Sequence, residues 1–147
     1  MHSQIAAQLR IRGDLLLAGR IGDLLDCYIY PLPVFLPTGR LLLAGPNEAR
    51  VALSLLRHAL LQGGIGALRP QVRAVELPRA GRFRVWVDWH ELPQGAGPAR
   101  ESSAIYYCRG NGPGPGLGLG LQTEMVNYTR LSMPDLAQQF EALALSA

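Results

Sequence analysis

Residues 82–92 read RFRVWVDWHEL, and this stretch decides the fold class of the chain. Successive side chains of a β-strand point to opposite faces of a sheet, so a half-buried strand is apolar at every second position. One set of alternating positions is apolar and consists of Phe83, Val85, Val87 and Trp89. The other set consists of Arg84, Trp86, Asp88 and His90. The stretch therefore predicts a long strand with one face against a core.

Other strand patterns flank this one. They lie at residues 34–36, 40–43, 72–77, 102–109 and 122–130. The Gly- and Pro-rich segment 110–120 is predicted as a flexible hairpin loop between the last two strands. Because the late strands follow one another without intervening helices, the order favours an antiparallel sheet rather than a doubly wound parallel one.

Helical patterns lie mainly before the strands. They cover residues 4–18, about 22–28, the segment between Gly45 and Gly63, and a C-terminal helix and tail at 133–147. In the third helix we expect Val51 in the buried stripe, because it recurs at helical spacing with Leu55. Ser132 is predicted to cap the last helix. Helices first and strands later are typical of an α+β fold with helices on one face of the sheet.

Length and composition limit the possible functions. A chain of 147 residues with 48% apolar and 17% charged residues is predicted to form one domain, residues 1–147. The net charge of +3 is too modest and too mixed in sign to predict nucleic-acid binding. No membrane span or secretory signal is recognised, so we expect a cytoplasmic protein. All 14 basic residues are arginine, which excludes lysine chemistry and is typical of bacterial genomes rich in G and C.

The order of elements and several residues resemble a known superfamily. The resemblance covers roughly residues 4–132 and rests on the segment Tyr30-Pro31-Leu32-Pro33-Val34, the Asn47-Glu48 helix start and the late Asn127-Tyr128-Thr129-Arg130 strand end. The chain looks like a cone-shaped α+β protein of the group that includes nuclear transport factor two, the ketosteroid isomerases and the SnoaL-like polyketide cyclases. The resemblance implies a strongly curved antiparallel sheet wrapped around N-terminal helices, an apolar pocket at the open end of the cone and a homodimer formed through the outer sheet face.

Candidate pocket residues follow from that resemblance and from strand parity. They are Asp26, Tyr28, Tyr30, Trp89, Tyr107 and Asn127. A one-residue bulge would invert the parity of the late strands and would make Tyr106, Glu124 and Tyr128 the inner residues instead. The row Arg84, Trp86, Asp88 and His90 is assigned to the outer, dimer-facing side, because charges alternate there as they do on exposed strands. The Asp88–His90 pair could also serve as an orienting carboxylate and general base.

Three functions remain open at this point. The favoured one is a small-molecule-binding domain with a hydrophobic ligand. One alternative is an isomerase, dehydratase or cyclase that uses a carboxylate with a tyrosine or histidine, and the other is a dimeric protein-interaction module. We predict no cofactor and no metal, because two cysteines and three scattered histidines show no ligand spacing.

Overall fold

The computed structural model describes residues 2–110 and 121–146. The helices are α1 (His2–Leu17), α2 (Ile21–Leu24), α3 (Pro46–Gln62) and α4 (Pro134–Ser146), with a 3-10 turn at Leu25–Cys27. The strands are β1 (Leu32–Leu36), β2 (Gly39–Leu43), β3 (Ile65–Val75), β4 (Arg82–Pro93), β5 (Arg100–Arg109) and β6 (Gln122–Arg130). In the loop predicted at 110–120, residues 111–120 lie outside the described residues.

The six strands form one curved, unclosed sheet in the order β2-β1-β6-β5-β4-β3. Strands β3 to β6 make an antiparallel meander, and β1 and β2 form the predicted hairpin. Only the pairing of β1 with β6 is parallel among the described strands. The predicted α+β class with a mostly antiparallel sheet is therefore confirmed.

The core lies between the inner face of the sheet and the helices. The apolar row of β4 is buried as predicted, with Phe83, Val85 and Val87 at most 6% exposed. Helix α1 packs against β3, and α3 packs against α4. At Gly13 the backbone of α1 approaches the sheet so closely that a Cβ atom would lie 3.1 Å from the Trp89 ring. The missing side chain at this position allows α1 to lie against Leu68 of β3 and the Trp89 ring.

The predicted start of β3 and the predicted burial of Val51 were wrong. Strand β3 begins at Ile65, seven residues before the predicted start, because Gly64 turns the chain at a φ of 75° straight after α3. Pro70 argues against a strand in the sequence, because proline has no N–H to donate. However, β3 is an edge strand, where a missing N–H is tolerated. Val51 is 48% exposed, so it does not belong to the buried stripe of α3. That stripe runs through Ala49, Ala52 and Leu60 instead.

Ser132 is also used differently from the prediction. Its hydroxyl donates a hydrogen bond to Glu91 rather than capping α4. In the parts of the chain that the structure describes, no helix combines the length and the apolar character needed to cross a membrane.

Candidate functional site

A cavity lies between α1, α3 and the inner face of the sheet. The space open to the centre of a water-sized molecule is about 80 Å³. Its apolar wall consists of Leu9, Gly13, Leu16, Leu24, Leu53, Leu56, Leu60, Leu68, Leu131 and Met133. Its polar and aromatic wall consists of Arg12, Tyr28, Trp89, Glu91, Ser102, Tyr106 and Tyr128. A mostly apolar cavity with a few convergent polar groups is the usual composition of a small-molecule site.

One end of the cavity holds Arg12, which α1 carries into the interior. The residue is 7% exposed, and its guanidinium donates to Thr123 Oγ1 at 3.1 Å and to the Leu121 carbonyl at 2.7 Å. Both acceptors are neutral. Arg12 Nε is buried without a hydrogen-bond partner in the described structure. The arginine therefore places a buried positive charge beside the cavity, with its Nε shielded inside the protein.

The other end holds Glu91, the next inner residue of β4 after Trp89. It is 4% exposed and accepts hydrogen bonds from Ser102 Oγ at 2.6 Å and from Ser132 Oγ at 2.5 Å. The backbone N–H of Ser132 donates in turn to Ser102 Oγ at 3.1 Å. The two serines thus hold the carboxylate in place with one hydroxyl on each oxygen.

Three tyrosines lie between these two charges. Burial raises the pKa of Tyr28, Tyr106 and Tyr128 above the ordinary tyrosine value, so their hydroxyls stay protonated near neutral pH. Trp89 Nε1 donates to the Tyr106 hydroxyl at 2.8 Å. The hydroxyls of Tyr28 and Tyr128 make no hydrogen bond to any side chain or backbone group that the structure describes. These hydroxyls are available to a molecule in the cavity.

A second, smaller cavity of about 40 Å³ adjoins the first. The two share four wall residues, Tyr28, Leu53, Leu56 and Tyr128. The remaining wall of the second cavity is apolar and comes from β1, β2, α3, β6 and α4.

The predicted pocket residues divide into two groups. Tyr28 and Trp89 line the cavity. Asp26 is exposed on the 3-10 turn, and its carbonyl accepts from Gln122. Tyr30 donates its hydroxyl to the Leu25 carbonyl at 2.9 Å and lies outside the cavity wall, and desolvation raises its pKa to about 12. Of Asp26, Tyr28 and Tyr30, which lie between α2 and β1, only Tyr28 therefore lines the cavity.

Tyr107 and Asn127 also lie outside the cavity wall, on the outer face. Directly opposed residues of paired strands share a face, and Tyr106 is opposite the buried Val85. Tyr106 therefore points inward and Tyr107 outward. In β6, Tyr128 is opposite the buried Ala104 and is therefore the inner residue, whereas Asn127 is opposite Ile105 on the outer face. Of the alternative inner set, Tyr106 and Tyr128 do point inward. Its third member, Glu124, pairs with arginines on the outer face.

The outer row of β4 is held together by polar contacts with its neighbours. Asp88 accepts from Ser103 and pairs with Arg73, and these contacts lower the pKa of its carboxyl. His90 contacts Gln71 at 2.9 Å. These contacts lie on the face opposite the cavity, so Asp88 and His90 do not approach its polar residues.

Trp86 in the same row is covered from within the chain. The Arg84 guanidinium lies 4.9 Å from the centre of the Trp86 ring, in a cation–π arrangement. Arg84 is itself paired with Glu76. Part of the Trp86 ring is therefore covered without a second subunit.

Arg12, Glu91 and Ser102 were not among the predicted site residues. Glu91 could have been found, because it continues the inner row of β4 at the same spacing as Val87 and Trp89. Arg12 has no comparable signal, since an arginine within an amphipathic helix is usually solvent-exposed. Among the described residues, no group of three or more His, Cys, Asp or Glu side chains is arranged to hold a metal ion.

The architecture is similar to that of several solved structures. A domain of unknown function with a cystatin-like fold from Nostoc punctiforme aligns at a TM-score of 0.62 and 17% identity, over 95% of this chain and 83% of that one. An NTF2-like protein with a cystatin-like fold from Novosphingobium aromaticivorans aligns at 0.58 and 14% identity, over 96% and 86%. The chain has the NTF2-like, cystatin-like fold.

A third structure with this fold carries an enzyme-related name. A ketosteroid isomerase-like protein from Erwinia carotovora atroseptica aligns at a TM-score of 0.54 and 13% identity, over 88% of this chain and 94% of that one. No protein-family model matches the chain, and no curated protein does. At identities this low, structural similarity shows only the cystatin-like fold, and this fold hosts many unrelated functions. The function must therefore be argued from the cavity.

Proposed function

We propose that the protein binds a small, mostly hydrophobic molecule in the cavity between α1, α3 and the sheet. The observation that carries this proposal is the cavity wall itself, in which leucines surround three protonated tyrosine hydroxyls. The hydroxyls of Tyr28 and Tyr128 have no other protein partner in the described structure and would orient a ligand that carries an acceptor oxygen. Leucines would supply most of the binding free energy, at about 25 cal/mol per Å² of apolar surface buried.

The cavity volume limits the size of the ligand. A single water needs roughly 10–15 Å³ of space occupied by the water-sized sphere itself, and 80 Å³ open to water centres is therefore room for several waters. A compact monocyclic or short-chain molecule fits the first cavity. A longer apolar tail requires the second cavity, which Leu56 and the shared tyrosines separate from the first.

Binding is tested most directly with variants of α3. Leu56 borders both cavities, whereas Leu61 on the same helix is 44% exposed. Leu56→Trp would fill the space, and Leu61→Trp adds the same bulk at the surface. A fragment screen by ligand-observed NMR on the unaltered protein identifies binders, whose affinities are then measured for both variants. We expect Leu56→Trp to weaken binding at least tenfold and Leu61→Trp to leave it unchanged. Equal affinities for the two variants would place the ligand elsewhere and refute the proposal.

One specific observation favours catalysis as the second candidate. Glu91 lies in the same cavity as Tyr106 and Tyr128, so a carboxylate and phenol donors face one space. Such a set can abstract a proton next to a carbonyl group while the phenols stabilise the oxyanion that develops. The predicted isomerase alternative named a carboxylate with a tyrosine or histidine, and Glu91 is the carboxylate in the described wall of this cavity.

Exchange of a substrate proton separates the two functions. If Glu91 acts as a base, bound carbonyl compounds should exchange their α-protons with D₂O in the presence of the protein, and Glu91→Gln should abolish that exchange. If the domain only binds, Glu91→Gln should leave ligand affinity within about twofold and no exchange should occur in either protein. Exchange that persists in Glu91→Gln would exclude this residue as the base.

A further inference from the structure

We propose that the ligand of the cavity is a hydrophobic monocarboxylate whose anionic group pairs with Arg12. This inference rests on the proposed binding function and specifies the chemical class of the ligand. It follows from an imbalance of charge and hydrogen bonding at one end of the cavity.

Arg12 is a buried cation with neutral partners only. A guanidinium has five N–H donors, and the protein accepts from two of its nitrogens, through Thr123 and the Leu121 carbonyl. Nε, buried in the interior, has no acceptor in the described structure. None of the ion pairs among the described residues includes Arg12. Buried charges are normally paired, so this arginine has the unmet requirement that an anion would fulfil.

The groups next to Arg12 do not provide that anion. The Cys27 thiol is a side-chain hydrogen-bond partner of Arg12, and Cys108 lies close enough to interact with its charge, yet burial raises the pKa of both thiols, that of Cys108 to about 11. Tyr28 stays protonated for the same reason. The side chains facing Arg12 from the turn, from β5 and from β6 are therefore neutral at physiological pH.

Glu91 is held at the far end of the cavity. Its carboxylate accepts a hydrogen bond from Ser102, whereas the Arg12 guanidinium donates one to Thr123. Thr123 on β6 is opposite Cys108 on β5. Ser102 and Cys108 are six residues apart on β5, which corresponds to roughly 20 Å of strand at 3.3 Å per residue, so the two hydrogen-bonding sites belong to opposite ends of β5. Glu91 also has a serine hydroxyl on each oxygen. The carboxylate is thus satisfied locally and neither neutralises Arg12 nor blocks an anion beside it.

The surroundings of Arg12 define the rest of the ligand. Leu9 and Leu16 lie one turn of α1 on either side of it and line the same cavity, together with Leu24. A single guanidinium neutralises one negative charge, and a carboxylate matches its planar donor geometry. A phosphate would bring up to two charges into an apolar space with one cation. The cavity therefore fits an apolar body with one carboxylate.

The test compares acids with their uncharged amides. Benzoate and hexanoate are titrated against benzamide and hexanamide at pH 7, where the acids are ionised, by isothermal calorimetry or ligand-observed NMR. We expect each acid to bind the unaltered protein at least tenfold more tightly than its amide, because hydrogen bonds to charged groups are the stronger ones. Acid and amide of equal affinity would overturn this inference but leave the proposed binding function intact. No binding of any of the four compounds would count against the proposed function itself.

Variants of α1 test whether Arg12 causes the preference for the acid over its amide. Arg12→Gln should abolish the preference for acid over amide while amide affinity changes less than threefold, and Arg12→Lys should retain part of the preference. Arg10→Gln is the matched control, since Arg10 is exposed on the same helix. If Arg12→Gln fails to fold, the comparison of Arg12→Lys with Arg10→Gln remains informative. A preference that is the same in Arg12→Lys, Arg10→Gln and the unaltered protein, and that high salt removes, would assign the acids to the basic surface and overturn the inference.

Discussion

Removing the Ser102 hydroxyl should destabilise the protein chiefly by depriving the buried Glu91 carboxylate of a partner. Ser102 Oγ donates to Glu91 at 2.6 Å and accepts from the Ser132 backbone N–H at 3.1 Å. A hydrogen bond to a charged group contributes about 1.5–3 kcal/mol, and a neutral one about 0.5–1.5 kcal/mol. Ser102→Ala should therefore lower the free energy of unfolding by about 2–4 kcal/mol. Glu91 is 4% exposed, and a water in the cavity that replaces the lost donor would move the loss toward the lower value.

A double-mutant cycle isolates the part of this loss that depends on the charge. In the Glu91→Gln background the amide is neutral, so Ser102→Ala should cost about 1–2 kcal/mol less than in the unaltered protein. Urea denaturation of the four proteins at pH 7 measures the difference. Ser103→Ala is the control, because that hydroxyl donates to Asp88 on the outer face, where Arg73 still pairs with the carboxylate. Additive effects of the Glu91 and Ser102 changes would refute the reasoning.

Two further predictions concern the outer face of the sheet. If the protein is a homodimer through this face, Trp86→Asp should reduce its mass in light scattering from dimer to monomer; a dimer mass that persists would contradict that interface. Hydrogen bonds from Arg73 and then Ser103 lower the pKa of Asp88 below its ordinary value of 3.8. The stability that Asp88 contributes is then fully present above about pH 4 and is lost as the pH falls through the lowered pKa. In urea denaturation, the difference between the unaltered protein and Asp88→Asn should be largest near pH 7 and should shrink below pH 4. A difference that stays constant down to pH 3 would show that the lost interaction does not depend on ionisation.

The candidate site was only partly predictable from the sequence. The alternation in residues 82–92 assigned Trp89 to the inner face, and Trp89 lines the cavity. The same alternation carries Glu91 inward, although it was not singled out as a site residue. The choice between Tyr106 and Tyr107 could not be made from β5 alone, because both sets of alternating positions in that strand contain polar and apolar residues. It was decided by the register with β4, where Tyr106 is opposite Val85.

The sequence by itself determined the fold class, since period-two alternation, turn residues and helical spacing are local patterns that a strand or helix imposes on its own residues. Only the tertiary structure decided which polar groups share the cavity. Arg12 meets Thr123 across 111 positions of chain, and Glu91 meets Ser132 across 41. Such contacts depend on how α1 lies over the sheet and on a bulge that shifts one strand by a residue. Neither leaves a periodic trace in the sequence, because one packing angle or one extra residue changes every long-range neighbour without changing any local pattern.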